Sequence, residues 1–214
     1  GVQYRPLIPN TLSVRDYDDF EGSKLNGSVT PSLGNSFGMV IRYNFTKNIA
    51  LETAVNLIQR KHRITLQTND GTANDESVFG IRSYELPIEG LYYVRLADRF
   101  YMNIMSGISF NFFPSDVQSI GDNDVFEQLS LRREWVQLSL LANVGFEYRT
   151  DENGYLYLGA SFHRPFNVLY RTYIYERLGL SPDASTTLRG TFTSIDIRYF
   201  FPLNSDKTRR GRSR

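Results

Sequence analysis

The segment WVQLSLLANVGFEYR, Trp135 to Arg149, alternates between two kinds of side chain. A period of two residues is typical of a β-strand, because successive side chains point to opposite faces of a sheet. The apolar face carries Val136, Leu138, Leu140, Ala142, Val144, Phe146 and Tyr148, and the more polar face carries Gln137, Ser139, Leu141, Asn143, Gly145, Glu147 and Arg149. The alternation predicts a strand but leaves open which face meets water.

Six further segments alternate in the same way, and each predicts a strand with one apolar face. They are residues 36–45, 49–57, 83–94, 100–112, 155–168 and 193–201. A weaker strand is predicted at residues 2–8, where Pro6 interrupts the pattern. Pro87 lies within a predicted strand and lacks the N–H that a ladder needs, so we expect a bulge or a local break there.

The connections between these strands are of two lengths. Tight links are predicted at 46–48, 97–99 and 151–154, and long polar links at about 11–34, 68–77, 114–132 and 171–187. Tracing the chain through them gives about eight antiparallel strands, with both termini on the side of the tight turns. Short periplasmic turns and long extracellular loops are typical of outer-membrane β-barrels. The predicted fold is therefore all-β, a closed antiparallel eight-stranded transmembrane barrel.

The composition excludes several classes of site. The chain of 214 residues has no cysteine, which excludes disulfides, zinc–thiolate sites and thiol nucleophiles. Its net charge of +1 gives no overall attraction to nucleic acid, and we predict no nucleic-acid partner. The mean hydropathy of −0.36 would ordinarily suggest a soluble protein. A membrane barrel, however, exposes only alternate residues to lipid and keeps a low average.

The sizes and charges of the side chains indicate which face is outward. An eight-stranded barrel is only just wide enough for side chains to fill, and the small polar set fits that interior better than the bulky apolar set. The strands almost lack lysine, which water-facing sheets usually use. Charges removed from water need partners of opposite sign, and those of the polar set are nearly matched. The predicted lumen ion-pair network contains Arg42, Glu52, Glu85, Glu89, Glu147, Arg149, Asp196 and Arg198, with Arg5 as a further cation.

Aromatic residues cluster toward the ends of the predicted strands. Rings at both ends of an aliphatic band are expected where they reach the lipid headgroups. The predicted aromatic girdle contains Tyr43, Phe45, Tyr148, Tyr199 and Phe201 beside the tight turns, and Trp135 and Phe166 toward the long links. A soluble lipocalin-like barrel that encloses a ligand would alternate as well, since alternation alone does not distinguish inside from outside. The scarce lysine and the outward fit of bulky side chains favour the membrane barrel.

Four segments carry a resemblance to a known family: GVQYRPLIPN (1–10), YELPIEGLYYVRL (84–96), RFYMNIMSGISF (99–110) and FTSIDIRYFF (192–201). With these features the chain resembles small outer-membrane β-barrels of the OmpX/OmpW kind, and among them the PorT-like barrels of Bacteroidota. In many relatives the terminal aromatic residue ends the protein, whereas a basic tail follows Phe201 here. The resemblance implies that IDIRYFF is the insertion signal read by the barrel-assembly machinery.

Residues that could carry catalysis are few. His62 lies near Asp70, Asp75, Glu76 and Ser77 in the sequence, and some outer-membrane barrels are lipid acyltransferases with a loop-borne Ser, His and Asp. No spacing here specifies such a site, so we predict no enzyme and no catalytic residue. The acidic segments NDGTANDE and GDNDVFE match no ion-binding pattern with fixed ligand spacing. We predict no metal and no cofactor.

The sequence therefore predicts a barrel over residues 1–202 and a basic periplasmic tail over 203–214. The tail residues Arg209, Arg210, Arg212 and Arg214 are candidates for docking an acidic protein partner. With a plugged lumen and no active site, the expected function is that of a structural or accessory subunit of a cell-envelope complex for secretion, assembly or transport. Its expected partners are outer-membrane lipid and proteins that contact the outer loops or the periplasmic rim. The alternatives are the lipocalin-like barrel and the acyltransferase.

Overall fold

The computed structural model describes residues 1–9, 18–150, 152–177 and 179–202, which form thirteen β-strands and no helix. The strands are β1 (Val2–Pro9), β2 (Asp18–Glu21), β3 (Leu25–Asn44), β4 (Ile49–Thr68), β5 (Asn74–Arg95), β6 (Phe100–Phe112), β7 (Val117–Ile120), β8 (Phe126–Arg132), β9 (Val136–Arg149), β10 (Tyr155–Pro165), β11 (Tyr170–Glu176), β12 (Ala184–Leu188) and β13 (Phe192–Phe200). The prediction of an all-β fold is confirmed. Within the described ranges, no helix is long and apolar enough to cross a membrane.

Eight of the strands pair side by side in a ring. The antiparallel order is β1, β13, β10, β9, β6, β5, β4 and β3, and β1 also pairs with β3. Val2 of β1 lies opposite Tyr199 of β13 on one side and opposite Met39 of β3 on the other. Each strand of the ring therefore has a neighbour on both sides, which leaves no unpaired edge at these positions. The predicted strands, including the weak first one, are confirmed.

One end of the ring carries the three tight links that the sequence predicted. In the first, Thr46 Oγ1 accepts hydrogen bonds from the backbone N–H groups of Asn48 (3.2 Å) and Ile49 (3.0 Å). In the third, Gly154 has a φ of +79°, a conformation that residues with a Cβ rarely adopt. We call this the tight-turn end of the ring.

Pro87 causes a break in the ladder without a bulge. Thr53 lies opposite Ile88 and Asn56 lies opposite Glu85, so the register between β4 and β5 is the same on both sides of the gap. Thr53 Oγ1 donates a hydrogen bond of 2.8 Å to the carbonyl oxygen of Pro87. The register does shift in β3, between Ser32 and Asn35.

The other end of the ring differs from the prediction of long polar links. The link predicted at 68–77 is only residues 69–73, because β4 and β5 continue far beyond the predicted strand ends. β2 and the first half of β3 occupy part of the link predicted at 11–34. The other two predicted links contain β7 and β8, and β11 and β12, which pair in a four-stranded sheet in the order β12, β11, β8, β7. These segments were predicted as links because their composition is polar. They are strands whose outer faces meet water.

The two faces of β4 exchange their polarity partway along the strand. Near the tight turn the outward face is apolar, from Ile49 to Leu57, and the inward face carries Glu52 and Asn56. Beyond Ile58 the pattern reverses. The outward residues become Gln59, Lys61, Arg63, Thr65 and Gln67, while Ile64 and Leu66 are buried inside. The apolar outward face spans the nine residues from Ile49 to Leu57, and a strand needs about 9–11 residues to cross a bilayer.

The extensions beyond this reversal form a second layer with an apolar core of its own. β5 contacts β7, and β12 contacts β2, so the extended halves of β3, β4 and β5 face the four-stranded sheet. The buried apolar residues of this layer are Phe20, Leu25, Val29, Ile64, Leu66, Phe79, Ile81, Phe113, Phe126, Leu169, Tyr170, Ile174, Ala184 and Leu188. We call it the outer layer, and it lies over the end of the ring opposite the tight turns.

Backbone hydrogen bonds to aspartates fix the outer layer at two points. Asp75 is buried and accepts bonds from the N–H groups of Asn123 (2.8 Å) and Val125 (3.0 Å). Asp183 accepts bonds from the N–H groups of Lys24 (3.1 Å) and Leu25 (2.8 Å). Burial alone would raise the pKa of the Asp183 carboxyl, but hydrogen bonds from Ser23, Lys24 and Leu25 lower it below its ordinary value.

Candidate functional site

The interior of the ring is the most densely charged part of the molecule. Alternation along each strand points one set of side chains inward, and in this part of the chain that set is polar. Charged members that are at least nine-tenths buried include Arg5, Glu52, Glu85, Asp196 and Arg198. A charge removed from water is costly unless it is paired and hydrogen-bonded, so the partners of each side chain decide what the interior can do.

Six of the eight predicted network residues form one connected chain of alternating charge. Arg42 Nε donates to Glu52 (2.6 Å), and its Nη1 donates to Glu147. Arg149 donates to the other oxygen of Glu147 (2.6 Å). Arg198 donates to Glu52 and, at 2.7 Å, to Asp196. Arg42 and Glu52 lie opposite each other on neighbouring strands, whereas the pairs Arg42–Glu147 and Arg198–Glu52 join strands that are not neighbours and so cross the interior.

Polar neutral groups donate further hydrogen bonds to two of these carboxylates, Asp196 and Glu147. Asp196 accepts hydrogen bonds from Asn143 (2.8 Å) and Ser194 (2.7 Å). Glu147 accepts one from Asn103 (3.1 Å). Hydrogen bonds from fixed donors hold these carboxylates, and the cations that contact them, in one arrangement.

Glu85, another predicted member, belongs to a second cluster. Arg5 Nη2 donates to Glu85 (2.5 Å) and to Ser36 Oγ (3.0 Å). Asn56 donates a further bond to Glu85 (2.9 Å), and His163 Nδ1 lies 3.2 Å from the other oxygen of that carboxylate. Arg5 lies on the short first strand, so the strand with the weakest alternation supplies the cation of this cluster.

Glu89 is the exception among the predicted residues. It is buried at 5% exposure and lies opposite Glu52 on the neighbouring strand. Within the described part of the chain, no hydrogen bond or salt bridge to its carboxylate is found. The structure therefore brings seven of the eight predicted residues into ion pairs and leaves two carboxylates, Glu52 and Glu89, side by side.

Arg60 is a buried charged residue that the sequence reasoning missed. It donates to Ser83 Oγ (2.9 Å), and its guanidinium lies over the ring of Phe192 at 5.1 Å. The inward-facing residues of β4 continue at every second position from Glu52 to Arg60. Extending that alternation beyond the predicted end of the strand would have identified Arg60.

Aromatic rings around Arg149 and Arg198 narrow the interior near the tight turns. The guanidinium of Arg149 lies 4.5 Å from the ring centre of Tyr93 and 4.1 Å from that of Tyr101. The ring of Tyr157 lies under Arg198 at 4.9 Å, and its hydroxyl donates to Asn143. A Cβ at Gly159 would lie only 2.3 Å from the Tyr157 hydroxyl, so the absence of a side chain there makes room for the ring.

All seven residues of the predicted girdle lie on the outward face. Trp135, for example, is 63% exposed and packs edge-on against Phe112, while Tyr43 packs against Phe45. At the tight-turn end, Tyr199 packs edge-on against Phe201, and the remaining members of the girdle, Tyr148 and Phe166, are also exposed. Their contact with lipid headgroups stays a prediction.

The residues of the acyltransferase alternative do not meet. His62 lies in the outer half of β4, buried and stacked on Phe79 at 5.4 Å. Burial, and secondly the charge of Arg60, lowers the pKa of His62 to about 4. Ser77 bonds instead to Ser119 (3.1 Å), and Asp70 accepts a bond from Thr72 Oγ1 (2.7 Å) in the turn after β4.

The remaining predictions concern the basic tail and a metal site. The tail residues Arg209, Arg210, Arg212 and Arg214 lie outside the described residues, as does all of 203–214. Among the residues that the structure does describe, no group of three or more His, Asp or Glu side chains is placed to hold a metal ion.

Comparison with known proteins agrees with the paired ring and its apolar outer face. The model of a family described as the outer membrane protein beta-barrel domain matches residues 10–171, about three quarters of the chain. No curated protein matches the sequence. The chain therefore belongs to the family of outer membrane β-barrel domain proteins and is located in the bacterial outer membrane.

Proposed function

We propose that this integral outer-membrane protein is a non-enzymatic structural or accessory subunit of a cell-envelope complex, built on a closed barrel with a plugged lumen. The observation that carries the proposal is the interior network of Arg42, Glu52, Glu147, Asp196 and Arg198. The pairs Arg42–Glu147 and Arg198–Glu52 cross the interior, and the bulky charged side chains around them would leave no continuous path for ions or solutes, since eight strands enclose little more space than side chains fill.

The outer layer supports the same conclusion from the opposite end. Its apolar core, which includes Phe126, Ile174 and Leu66, lies over the ring beyond the charged interior. A pore would need a hydrated opening at this end, whereas these residues are almost completely buried. The layer instead offers a folded and polar outer face, which is suited to contact with another protein.

Single-channel recording tests the plugged lumen. The protein is reconstituted into planar bilayers beside a large-channel porin that shows the bilayers are competent. We expect no stepwise conductance from this protein at concentrations where the porin opens repeatedly. Stable conductance steps of uniform size would contradict the plugged lumen.

Crosslinking in native membranes tests the accessory role. The tagged protein is crosslinked in intact cells, extracted in detergent and purified under conditions that dissociate uncrosslinked proteins. We expect one or a few partners in a fixed ratio to the tagged chain. Recovery of the chain alone, or of abundant outer-membrane proteins in no fixed ratio, would contradict the role in a complex.

The non-enzymatic nature of the protein is part of the proposal. The separation of His62 from Asp70 and its stacking on Phe79 favour a packing role for this histidine. Replacing His62 by Gln should leave the lipid composition of the membrane unchanged. A change in lipid acylation on this replacement would support the acyltransferase instead.

We also propose a narrower family for this protein and an orientation in the membrane. Eight ring strands and tight links at one end favour a barrel of the OmpX/OmpW kind and, within it, a PorT-like barrel of Bacteroidota. The tight turns would then face the periplasm and the outer layer the outside. A cysteine introduced at Asp70 should react with a membrane-impermeant maleimide in intact cells, whereas a cysteine at Asp98 should not.

A further inference from the structure

Four exposed arginines cluster on one side of the ring, where it meets the outer layer. They are Arg133, Arg164, Arg171 and Arg189. In the described part of the chain, none of these guanidinium groups has a hydrogen bond or a salt bridge to another side chain. This differs from the arginines of the interior, every one of which has a partner. Unpaired cations so close together repel one another, and an anion between them would relieve that repulsion.

The arginines line two adjoining open grooves. One groove, of about 450 Å³, is lined by Arg133, Arg164 and Arg189 together with the apolar residues Leu140, Phe166 and Val168. The other, of about 380 Å³, shares Arg133 and Val168 and adds Arg171. No Asp or Glu from the described residues lines either groove. Arg132 also lines the second groove and is paired with Asp116 at 3.6 Å, and Glu134, next to Arg133 in the sequence, is exposed.

The first groove lies at the edge of the hydrocarbon region. Arg164 is opposite Leu140 in the register of β9 and β10, and Leu140 belongs to the outward apolar face. Arg164 is about 30 Å along β10 from the tight turn, which corresponds to about 23 Å of height at a strand tilt of about 40°. The apolar band of such barrels is about 25 Å tall. The groove therefore has its apolar residues in the acyl-chain region and its guanidinium groups at the headgroup level.

We propose that this groove binds a phosphate-bearing lipid of the surrounding leaflet. Arg133, Arg164 and Arg189 hold the phosphates, and an acyl chain lies against Leu140 and Phe166. Guanidinium groups pair with phosphate oxygens through two parallel hydrogen bonds, and this pairing strengthens where water is scarce. The lipid contacts both the arginines and the apolar residues of the groove, whereas a free anion would contact only the arginines. The inference rests on the membrane location and on the orientation proposed above, and it is independent of the accessory role.

Titration with lipids that differ only in phosphate tests the proposal. The purified protein in neutral detergent is titrated with bisphosphorylated lipid A and with the same lipid after removal of both phosphates. Trp135 is the only tryptophan of the chain and lies two residues from Arg133, so its fluorescence reports binding. We expect the phosphorylated lipid to bind at least tenfold more tightly. Equal affinity for the two lipids would overturn the proposal.

Two variants that each lose three arginines show whether binding depends on the groove or only on the total positive charge of the protein. The triple variant R133Q/R164Q/R189Q should lose at least tenfold in affinity for the phosphorylated lipid. The triple variant R63Q/R82Q/R95Q removes three exposed arginines elsewhere and should change the affinity less than twofold. An equal loss in both variants would overturn the proposal. If the first triple variant fails to fold, the single variant R164Q should still lose at least threefold.

Competition distinguishes a lipid from a free anion. Inorganic phosphate at millimolar concentration should leave the bound lipid in place, because it makes no contact with Leu140 or Phe166. Native mass spectrometry should then show one lipid of the expected mass retained on the wild-type protein. Displacement of the lipid by inorganic phosphate alone would show that the groove is an anion site and would overturn the proposal.

Discussion

At the scale of single residues, the interior shows that two buried carboxylates of the same strand can differ in their surroundings. Glu85 is held by Arg5 and Asn56, and His163 lies beside it. Glu89 has no bonded partner in the described chain and lies opposite Glu52. The charge of Glu85 is therefore compensated by bonded partners, whereas Glu89 lies beside the carboxylate of Glu52 and interacts with the Arg198 cation without a hydrogen bond or salt bridge.

Replacement of each glutamate by glutamine should distinguish the carboxylate that has bonded partners, Glu85, from the one that has none, Glu89. E85Q leaves Arg5 as an uncompensated buried charge and should lower the free energy of unfolding by about 3 kcal/mol or more. E89Q removes a charge that faces Glu52 and should change the free energy of unfolding by less than about 1 kcal/mol, or increase it. Urea unfolding from detergent micelles, monitored by Trp135 fluorescence and by migration of unheated samples on gels, measures both. A larger loss for E89Q than for E85Q would show that the pairing is assigned wrongly.

At the scale of strands, the reversal of polarity along β4 marks the edge of the hydrocarbon region. Val55 is outward within the apolar part, and Gln59 is outward just beyond Leu57. The two residues lie on the same face of the same strand, because they are four residues apart. They differ in height, so they form a matched pair for testing where lipid ends and water begins.

Arginine at these two positions should have different effects. V55R places a charge near the midplane and should lower the free energy of unfolding by about 2–4 kcal/mol, whereas Q59R at the edge should lower it by less than about 1 kcal/mol. Folding into bilayers of lipid vesicles, followed by urea titration, measures the two values. Similar costs at both positions would place the edge of the hydrocarbon elsewhere on β4.

The same reversal explains how far the sequence could predict the fold. The alternation of apolar and polar residues predicted all eight strands of the ring and the side chains that face its interior, because an apolar face against lipid gives a strong sequence pattern. It failed for β2, β7, β8, β11 and β12 and for the extended halves of β3, β4 and β5. There the outward residues, such as Lys61 and Arg63, resemble those of a polar loop, and only the inward residues Ile64 and Leu66 carry the strand signal.

Prediction of the interior network was limited in a different way. The polar set on the strands identified the charged residues and their near balance, since each strand exposes them at a period of two. The individual partners depend on which strands face each other across the ring, which the sequence order does not give. Arg5 with Glu85 and Arg42 with Glu147 are such pairs, because their residues lie 80 and 105 positions apart.

At the scale of the whole molecule, the chain has two layers stabilised in opposite ways. The ring has a polar interior and an apolar exterior, and the outer layer has an apolar core and a polar exterior. Phe126, at the start of β8, is completely buried in the outer core, while Leu131 on the same strand is exposed. Because the interior of the ring is held by ion pairs and backbone ladders, loss of the outer core should leave the ring intact.

Replacement of Phe126 by alanine should therefore loosen one layer only. A buried Phe→Ala change costs about 3–5 kcal/mol, which corresponds to a loss of about a hundredfold to a thousandfold in local protection from amide exchange. We expect this loss in β8 and β11, while β9 and β10 exchange as in the wild type and the gel migration of unheated samples is unchanged. L131A, which removes an exposed side chain from the same strand, should leave all four strands unaffected. Equal loss of protection in β9 and β8 would mean instead that the ring and the outer layer unfold as one unit.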